Sequence, residues 1–135
     1  MEKTFIIIKS DGVQRGLIGE IIGRIEKKGF RIVKAELIQA DRKTVEAHYE
    51  EHKGRPYFKS LVEFILEGPI MAMVLEGENS ISIMRLMMGD KNPEKATPGT
   101  IRGDFANNTT RNLIHGSDSE ESAQREINIW FPDQF

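Results

Sequence analysis

Ile70-Met71-Ala72-Met73-Val74-Leu75 is the longest uninterrupted apolar run in the chain, with Gly68-Pro69 before it and Glu76-Gly77 after it. At six residues it falls far short of the about 20 needed to span a bilayer. A short apolar run bounded by turn signals reads as a β-strand buried on both faces. Downstream, Asn79 is placed to cap a helix over Ile81–Met88, with apolar positions Ile81, Met84, Leu86 and Met88, Arg85 pointing elsewhere, and Gly89 ending it. Upstream, Leu61, Phe64 and Ile65 form a shorter helical stripe, and Asp41 can cap a helix running to about Lys53, closed by Gly54 and Pro56. Phe30–Ile38 shows the mixed alternation of a strand. Leu17, Ile18, Ile21, Ile22 and Ile25 make an amphipathic helix stopped by Lys27-Lys28-Gly29. Phe5–Ile8 is a compact β-type run ended by the polar turn cluster Lys9-Ser10-Asp11-Gly12.

Beyond Gly89, residues 90–112 are polar and carry Pro93, Pro98, Gly99 and Gly103, the composition of a long functional loop. Ser119 then caps a last helix with Glu120 and Glu121 in its first turn, and Ile127–Phe131 reads as a final strand. The order β-α-β-(α-α)-β-α-loop-α-β is too poor in strands for a doubly wound parallel sheet. It fits an α+β, ferredoxin-like βαββαβ sandwich: a four-stranded antiparallel sheet with helices on its face and an inserted helical pair.

With no repeat, low-complexity segment or linker, the 135 residues read as one domain, 1–135. Nineteen cations against 21 acids give a formal net charge of -2, which argues against a protein that grips nucleic acid through its phosphates. Cysteine is absent, which removes disulfides, thiolate nucleophiles and Cys-ligated metal. No membrane segment and no signal-type N-terminus are seen, so a soluble, cytoplasmic protein is expected.

The chemistry-bearing residues fall into three groups. His48 and His52 lie four apart on a predicted helix, a spacing open to a metal, but no third ligand is obvious and a solvated helix face is the plainer reading. His115 ends the long loop, beside Gly116, Ser117 and Asp118. Those neighbours can hold one ring nitrogen and leave the other a free lone pair, or can merely satisfy a buried histidine; on local sequence both readings stand. Neither glycine-rich nucleotide loop is present, yet Lys9, Arg85, Arg102 and Arg111 fall at element ends, where phosphate could be met. Tyr49, Tyr57 and Phe58 flank Arg55-Pro56 and could stack a planar base or pack the core.

Ile8-Lys9-Ser10-Asp11-Gly12-Val13-Gln14-Arg15-Gly16, Arg55-Pro56-Tyr57-Phe58, Gly68-Pro69, Pro98-Gly99-Thr100-Ile101-Arg102-Gly103-Asp104-Phe105 and Asn112-Leu113-Ile114-His115-Gly116-Ser117-Asp118-Ser119 closely resemble nucleoside diphosphate kinase, from about Thr4 to Phe131. The resemblance implies ping-pong transfer of a γ-phosphoryl from a nucleoside triphosphate, usually ATP, to nucleoside diphosphates through a phosphohistidine on His115. It further implies that Lys9, Arg85 and Arg102 hold the phosphates, with Asn112 and Lys9 on the sugar hydroxyls. Tyr49 would lie near the transferring phosphoryl, and Glu126 with Ser117 would orient His115. Tyr57 would stack the base, which admits purines and pyrimidines alike, and Leu61 and Lys91 would complete the nucleotide site. Mg²⁺ would ride on the nucleotide phosphates rather than in a protein cage. The family assembles as hexamers or as tetramers of dimers, so a homo-oligomer is implied, with no nucleic-acid or membrane partner.

Four places depart from the family's usual pattern: Ser10 stands for proline, Tyr57 for phenylalanine, Lys91 for threonine, and Asn108-Thr109-Thr110 precedes Arg111 in place of an apolar-glycine pair. Two competing classes are a catalytically silent nucleotide-binding regulator on the same fold and a single-strand nucleic-acid binder. Lys9, Arg85, Arg102, Asn112, His115 and Glu126 are all present, which favours the enzyme. The chain lacks the basic balance that the nucleic-acid binder requires.

Overall fold

A computed structural model describes residues 1–135. Four strands, β1 (Glu2–Ile8), β2 (Arg31–Ile38), β3 (Ile70–Gly77) and β4 (Ile114–Gly116), form one sheet in the order β2-β3-β1-β4, every neighbouring pair antiparallel. The crossovers are α2 (Ile18–Lys28), between β1 and β2, and α5 (Ser80–Met88), between β3 and β4. α1 (Ser10–Gln14) follows β1 directly, and α3 (Arg42–His48) and α4 (Phe58–Leu66) are the helical pair inserted before β3. This is the ferredoxin-like α+β arrangement expected from the sequence.

β1 and β3 are the two inner strands, and their alternation decides what lies where. Phe5, Ile7, Ala72 and Val74 face a core closed by Val45, Tyr49, Val62, Ile65, Ile127 and Trp130. Ile6, Ile8, Met73 and Leu75 face the opposite core, with Ile21, Ile25, Met84 and Met88. Helices therefore cover both faces of the sheet, α2 and α5 on one and the inserted pair α3 and α4 on the other. A strand packed on both sides shows no polar alternation, which is why β1 and β3 read as plain apolar runs.

Other expectations need correction. Ile127–Phe131 is not a strand: Ile127 to Trp130 belong to α7 (Glu120–Trp130), which Phe131 ends and which is capped by Ser119, whose hydroxyl accepts from the Ser122 amide at 3.0 Å. The alternating side chains there mimic a strand, but Ala123, Glu126, Ile127 and Trp130 at helical spacing form a single buried stripe. The fourth strand is Ile114–Gly116, three residues that the sequence reading left at the end of a loop. Lys9–Gly12 is not only a turn, since α1 begins at Ser10. The helix begun at Asp41 stops at His48 and continues as a 3₁₀ turn over Glu50–His52. The long loop is interrupted by α6 (Ile101–Phe105), capped by Thr100, whose hydroxyl accepts from the Gly103 amide at 2.9 Å. Asn79 sits in a left-handed conformation without a side-chain cap bond; the Ile81 amide donates instead to Glu2 Oε1 at 2.8 Å. Leu86, expected on the apolar side of α5, is 75 % exposed.

Candidate active site

β4 is the element that decides the site. Its three residues pair with β1 so that His115 lies opposite Ile7, on the same sheet face as Phe5 and Ile7. A slip of one residue would send the imidazole into the other core. Leu113, just before the strand, holds a φ of 76° while fully buried. That strained conformation is fastened by its amide donating to Asp11 Oδ2 at 3.2 Å and its carbonyl accepting from the Lys9 amide at 2.7 Å.

His115 Nε2 lies 2.9 Å from Glu126 Oε1, which also accepts from Ser117 Oγ at 2.7 Å. A carboxylate oxygen accepts, so Nε2 carries the ring proton and Nδ1 keeps its lone pair. The local sequence offered Ser117 and Asp118 for this task. Ser117 acts through Glu126, a residue eleven positions from His115 on α7, whereas Asp118 lies beside Ser122 and Ser119. The Ser122 side chain, with Arg85 nearby, lowers the Asp118 pKa.

His48 is a finding that sequence reasoning missed. Far from lying on a solvated face, it is 3 % exposed, its ring 4.5 Å from that of His115 at 77°. Trp130 Nε1 donates to its Nδ1 at 3.1 Å, so Nε2 holds the proton. Burial, followed by the charges of His115 and Arg125, pushes its pKa well down, and the ring is neutral. His48, His115 and Glu126 bring one ligand atom each within 4.8 Å of one another. They are nevertheless a poor metal triad, because both lone pairs they would need are already taken up. The His48 lone pair, on Nδ1, already accepts from Trp130 Nε1, and the Glu126 oxygen is shared between two hydrogen bonds.

The residues around His115 line a cavity of about 750 Å³. Lys9, Tyr49, Tyr57, Leu61, Arg85, Lys91, Arg102, Asn112, His115 and Glu126 all reach its wall, whereas Ser117 lies behind it. Lys9 Nζ donates to Asn112 Oδ1 at 2.9 Å. Burial, with the Arg102 charge beside it, lowers the Lys9 pKa to about 8 against the pull of Asp11. Arg102 is fixed by donating to the carbonyls of Gly89 at 3.0 Å, Asn112 at 3.3 Å and Ile114 at 2.6 Å. Burial, then Arg85, brings its pKa down to about 10, so it stays charged at neutral pH. Arg85 donates to the Gly116 carbonyl at 3.2 Å.

Arg111, the fourth cation singled out in the sequence, is turned away: it pairs with Glu67 at 2.6 Å and lies over the Phe64 ring. The three aromatics separate. Tyr49 is buried, and burial raises its hydroxyl pKa, so the O–H remains a donor. Phe58 packs against the core, and Tyr57 is 47 % exposed at the cavity mouth. Chemically, this is an imidazole held at Nε2 by a carboxylate, with Nδ1 left over, lining a basic pocket that opens past an aromatic ring.

Residues 2–135 match the family model described as nucleoside diphosphate kinase. A relative of that name from Thermoanaerobacter sp. (strain X514) is 58% identical over 133 residues, covering 98% of each chain. One from Listeria monocytogenes serotype 4b is 57% identical over 134 residues, 99% of this chain and 91% of its own. Among solved structures, the apo nucleoside diphosphate kinase of Encephalitozoon cuniculi superposes with a TM-score of 0.96 at 42% identity, covering 98% of this chain and 90% of its own. The halophilic enzyme of Halobacterium salinarum, in complex with CDP, gives 0.94 at 46% identity, covering 98% and 88%.

Proposed function

This chain belongs to the nucleoside diphosphate kinase family, and on that premise we propose how its cavity divides the work of the reaction. The chain is a phosphotransferase: the γ-phosphoryl of a nucleoside triphosphate passes to a histidine and then to a second nucleoside diphosphate. His115 Nδ1 attacks the γ-phosphorus; the bond to the bridging oxygen breaks and the diphosphate leaves with the electron pair. An oxygen of the incoming diphosphate reverses the step, and Nδ1 recovers its lone pair. The observation that carries this reading is the 2.9 Å contact of His115 Nε2 with Glu126, which assigns the nucleophilic lone pair to the other nitrogen.

Charge spreads over the equatorial oxygens in the transition state, so fixed cations and donors act where they are most effective. Lys9, Arg85 and Arg102 take the phosphates, Tyr49 donates its hydroxyl near the transferring group, and Asn112 with Lys9 meets the sugar. Tyr57 and Leu61 receive the base, and Lys91 extends the basic wall. Glu126, steadied by Ser117, holds the ring and balances the positive charge that develops on it. The donor set fits Mg²⁺ bound through nucleotide phosphates, since no three free carboxylates converge. Asp90 and Asp118, beside Arg102 and Arg85, are wall carboxylates that would meet its water shell. Once bound, Mg²⁺ supplies charge neutralisation to the phosphates.

A single domain, 1–135, working in the cytoplasm where nucleoside triphosphates are abundant, completes the proposal. No helix is long and apolar enough to cross a membrane. We also propose a homo-oligomer, a hexamer or a tetramer of dimers. It is supported by β2, an outer strand whose Leu37 is 56 % exposed and whose free edge can pair with another chain. The test of the chemistry is incubation with γ-labelled ATP and Mg²⁺. An acid-labile, base-stable label is expected, seen also as one phosphoryl added to the intact mass, and absent from His115→Ala. Full labelling of that variant would overturn the assignment.

A further inference from the structure

The cavity mouth contains a hydrogen bond that phosphoryl transfer does not use. Tyr57 Oη lies 2.9 Å from His52 Nδ1, and the two rings meet edge-on with centroids 5.5 Å apart at 61°. His52 sits on the 3₁₀ turn that leads out of α3, and Tyr57 immediately precedes α4. Both line the cavity. His52 is itself held from two other sides. Its ring is 6.2 Å from that of the buried Tyr49, and its Nε2 is 3.9 Å from Glu51 Oε1. A proton on Nε2, facing that carboxylate, leaves Nδ1 to accept from the Tyr57 hydroxyl. An imidazolium would donate to Oη instead, so the bond persists in either state.

We propose that His52 is a positioning residue for the nucleotide base: it latches Tyr57 so that the stacking ring is in place before the nucleotide arrives. The proposal rests on the reading of Tyr57 as the base-stacking surface. A half-exposed aromatic ring at the start of a helix is otherwise free to change rotamer, and binding must then stop that motion. The latch removes that cost in the free protein and joins the base end of the pocket, through His52, to Tyr49 at the phosphoryl end. Phenylalanine at position 57 would stack as well, but it offers no group for His52 to hold. The departure from the family's usual phenylalanine thus acquires a function, since the added hydroxyl is the group that His52 holds.

The test compares Tyr57→Phe, His52→Ala, the double variant, His52→Asn and Tyr57→Ala by binding of a fluorescent nucleoside diphosphate and by steady-state kinetics. Tyr57→Phe and His52→Ala are each expected to raise Kd and KM about 3-fold, the size of one partly exposed hydrogen bond, with the loss in KM rather than kcat. The double variant should be no worse than either single, because both remove the same bond. His52→Asn, whose amide oxygen can take the place of Nδ1, should recover most of the loss. Wild-type binding by Tyr57→Phe alongside weakened binding by Tyr57→Ala would leave the stacking surface standing and overturn the latch. Additive losses in the double variant would overturn it too. Unchanged binding by Tyr57→Ala would overturn the base-site reading itself.

Discussion

Glu126 is buried and accepts two hydrogen bonds on one oxygen, from the nucleophile and from Ser117, while Arg125 lies 3.8 Å from the other. Glu126→Gln keeps the shape but removes the charge that favours a proton on Nε2 and balances the ring as it gains positive charge. A fall in kcat of about 100-fold with nucleotide KM nearly unchanged is expected from steady-state kinetics, the range typical of acid–base and tautomer control. A kcat close to wild type would show that the carboxylate is only a packing partner. Lys9 gives a second residue-scale expectation. Its ammonium has a pKa lowered to about 8, so the phosphate-binding charge is present at neutral pH and is lost as pH rises through that value. The profile of kcat/KM, which reports the free enzyme, should fall on an alkaline limb near about 8. Lys9→Arg, whose charge persists, should be less active at neutral pH yet show no such limb. A flat profile in the parent chain would remove Lys9 from the phosphate site.

At the scale of elements, two short pieces carry the geometry. β4 aims His115, and α6 presents Arg102 against the carbonyls on either side of it. α6 can approach the preceding loop only because Gly103 has no side chain: a Cβ there would collide with the Thr97 carbonyl oxygen, and backbone cannot swing aside as a flexible side chain can. Gly103→Ala is therefore expected to cost about 3 kcal/mol of stability, read as a lowered urea midpoint, and to raise nucleotide KM by displacing Arg102. A variant with unchanged midpoint and KM would show that α6 tolerates a shift. These two pieces were also the least legible in the sequence. Three residues of strand and five of helix are too short for any periodicity to appear, and α6 lies in a polar stretch with two prolines nearby. α2 and β3, long enough to show their stripe or run, were read with nearly the observed boundaries.

Across the whole molecule, the sheet has one open side at β2, with β4 and its short run at the other. The proposed assembly predicts a native mass that is a multiple of 15.4 kDa in sedimentation analysis. Leu37→Lys, which places a charge on the outer strand, should shift the population to smaller species. A wild-type chain that sediments as a monomer at micromolar concentration would refute the oligomer.

By itself the sequence determined the apolar strands, the Asp41 and Ser119 caps, and a set of motif residues specific enough to identify the family. Those properties are written in local spacing and in residue type, which need no knowledge of distant partners. Only the tertiary structure decided that Glu126 holds His115, that His48 is buried beside it with Trp130 on its far nitrogen, and that His52 grips Tyr57. It also decided that Arg111 turns away from the cavity that Arg102 enters. These outcomes depend on strand register and on which helix lands on which sheet face. A side chain's partners in space follow from the summed packing of the whole chain, and the residues next to it carry little of that information.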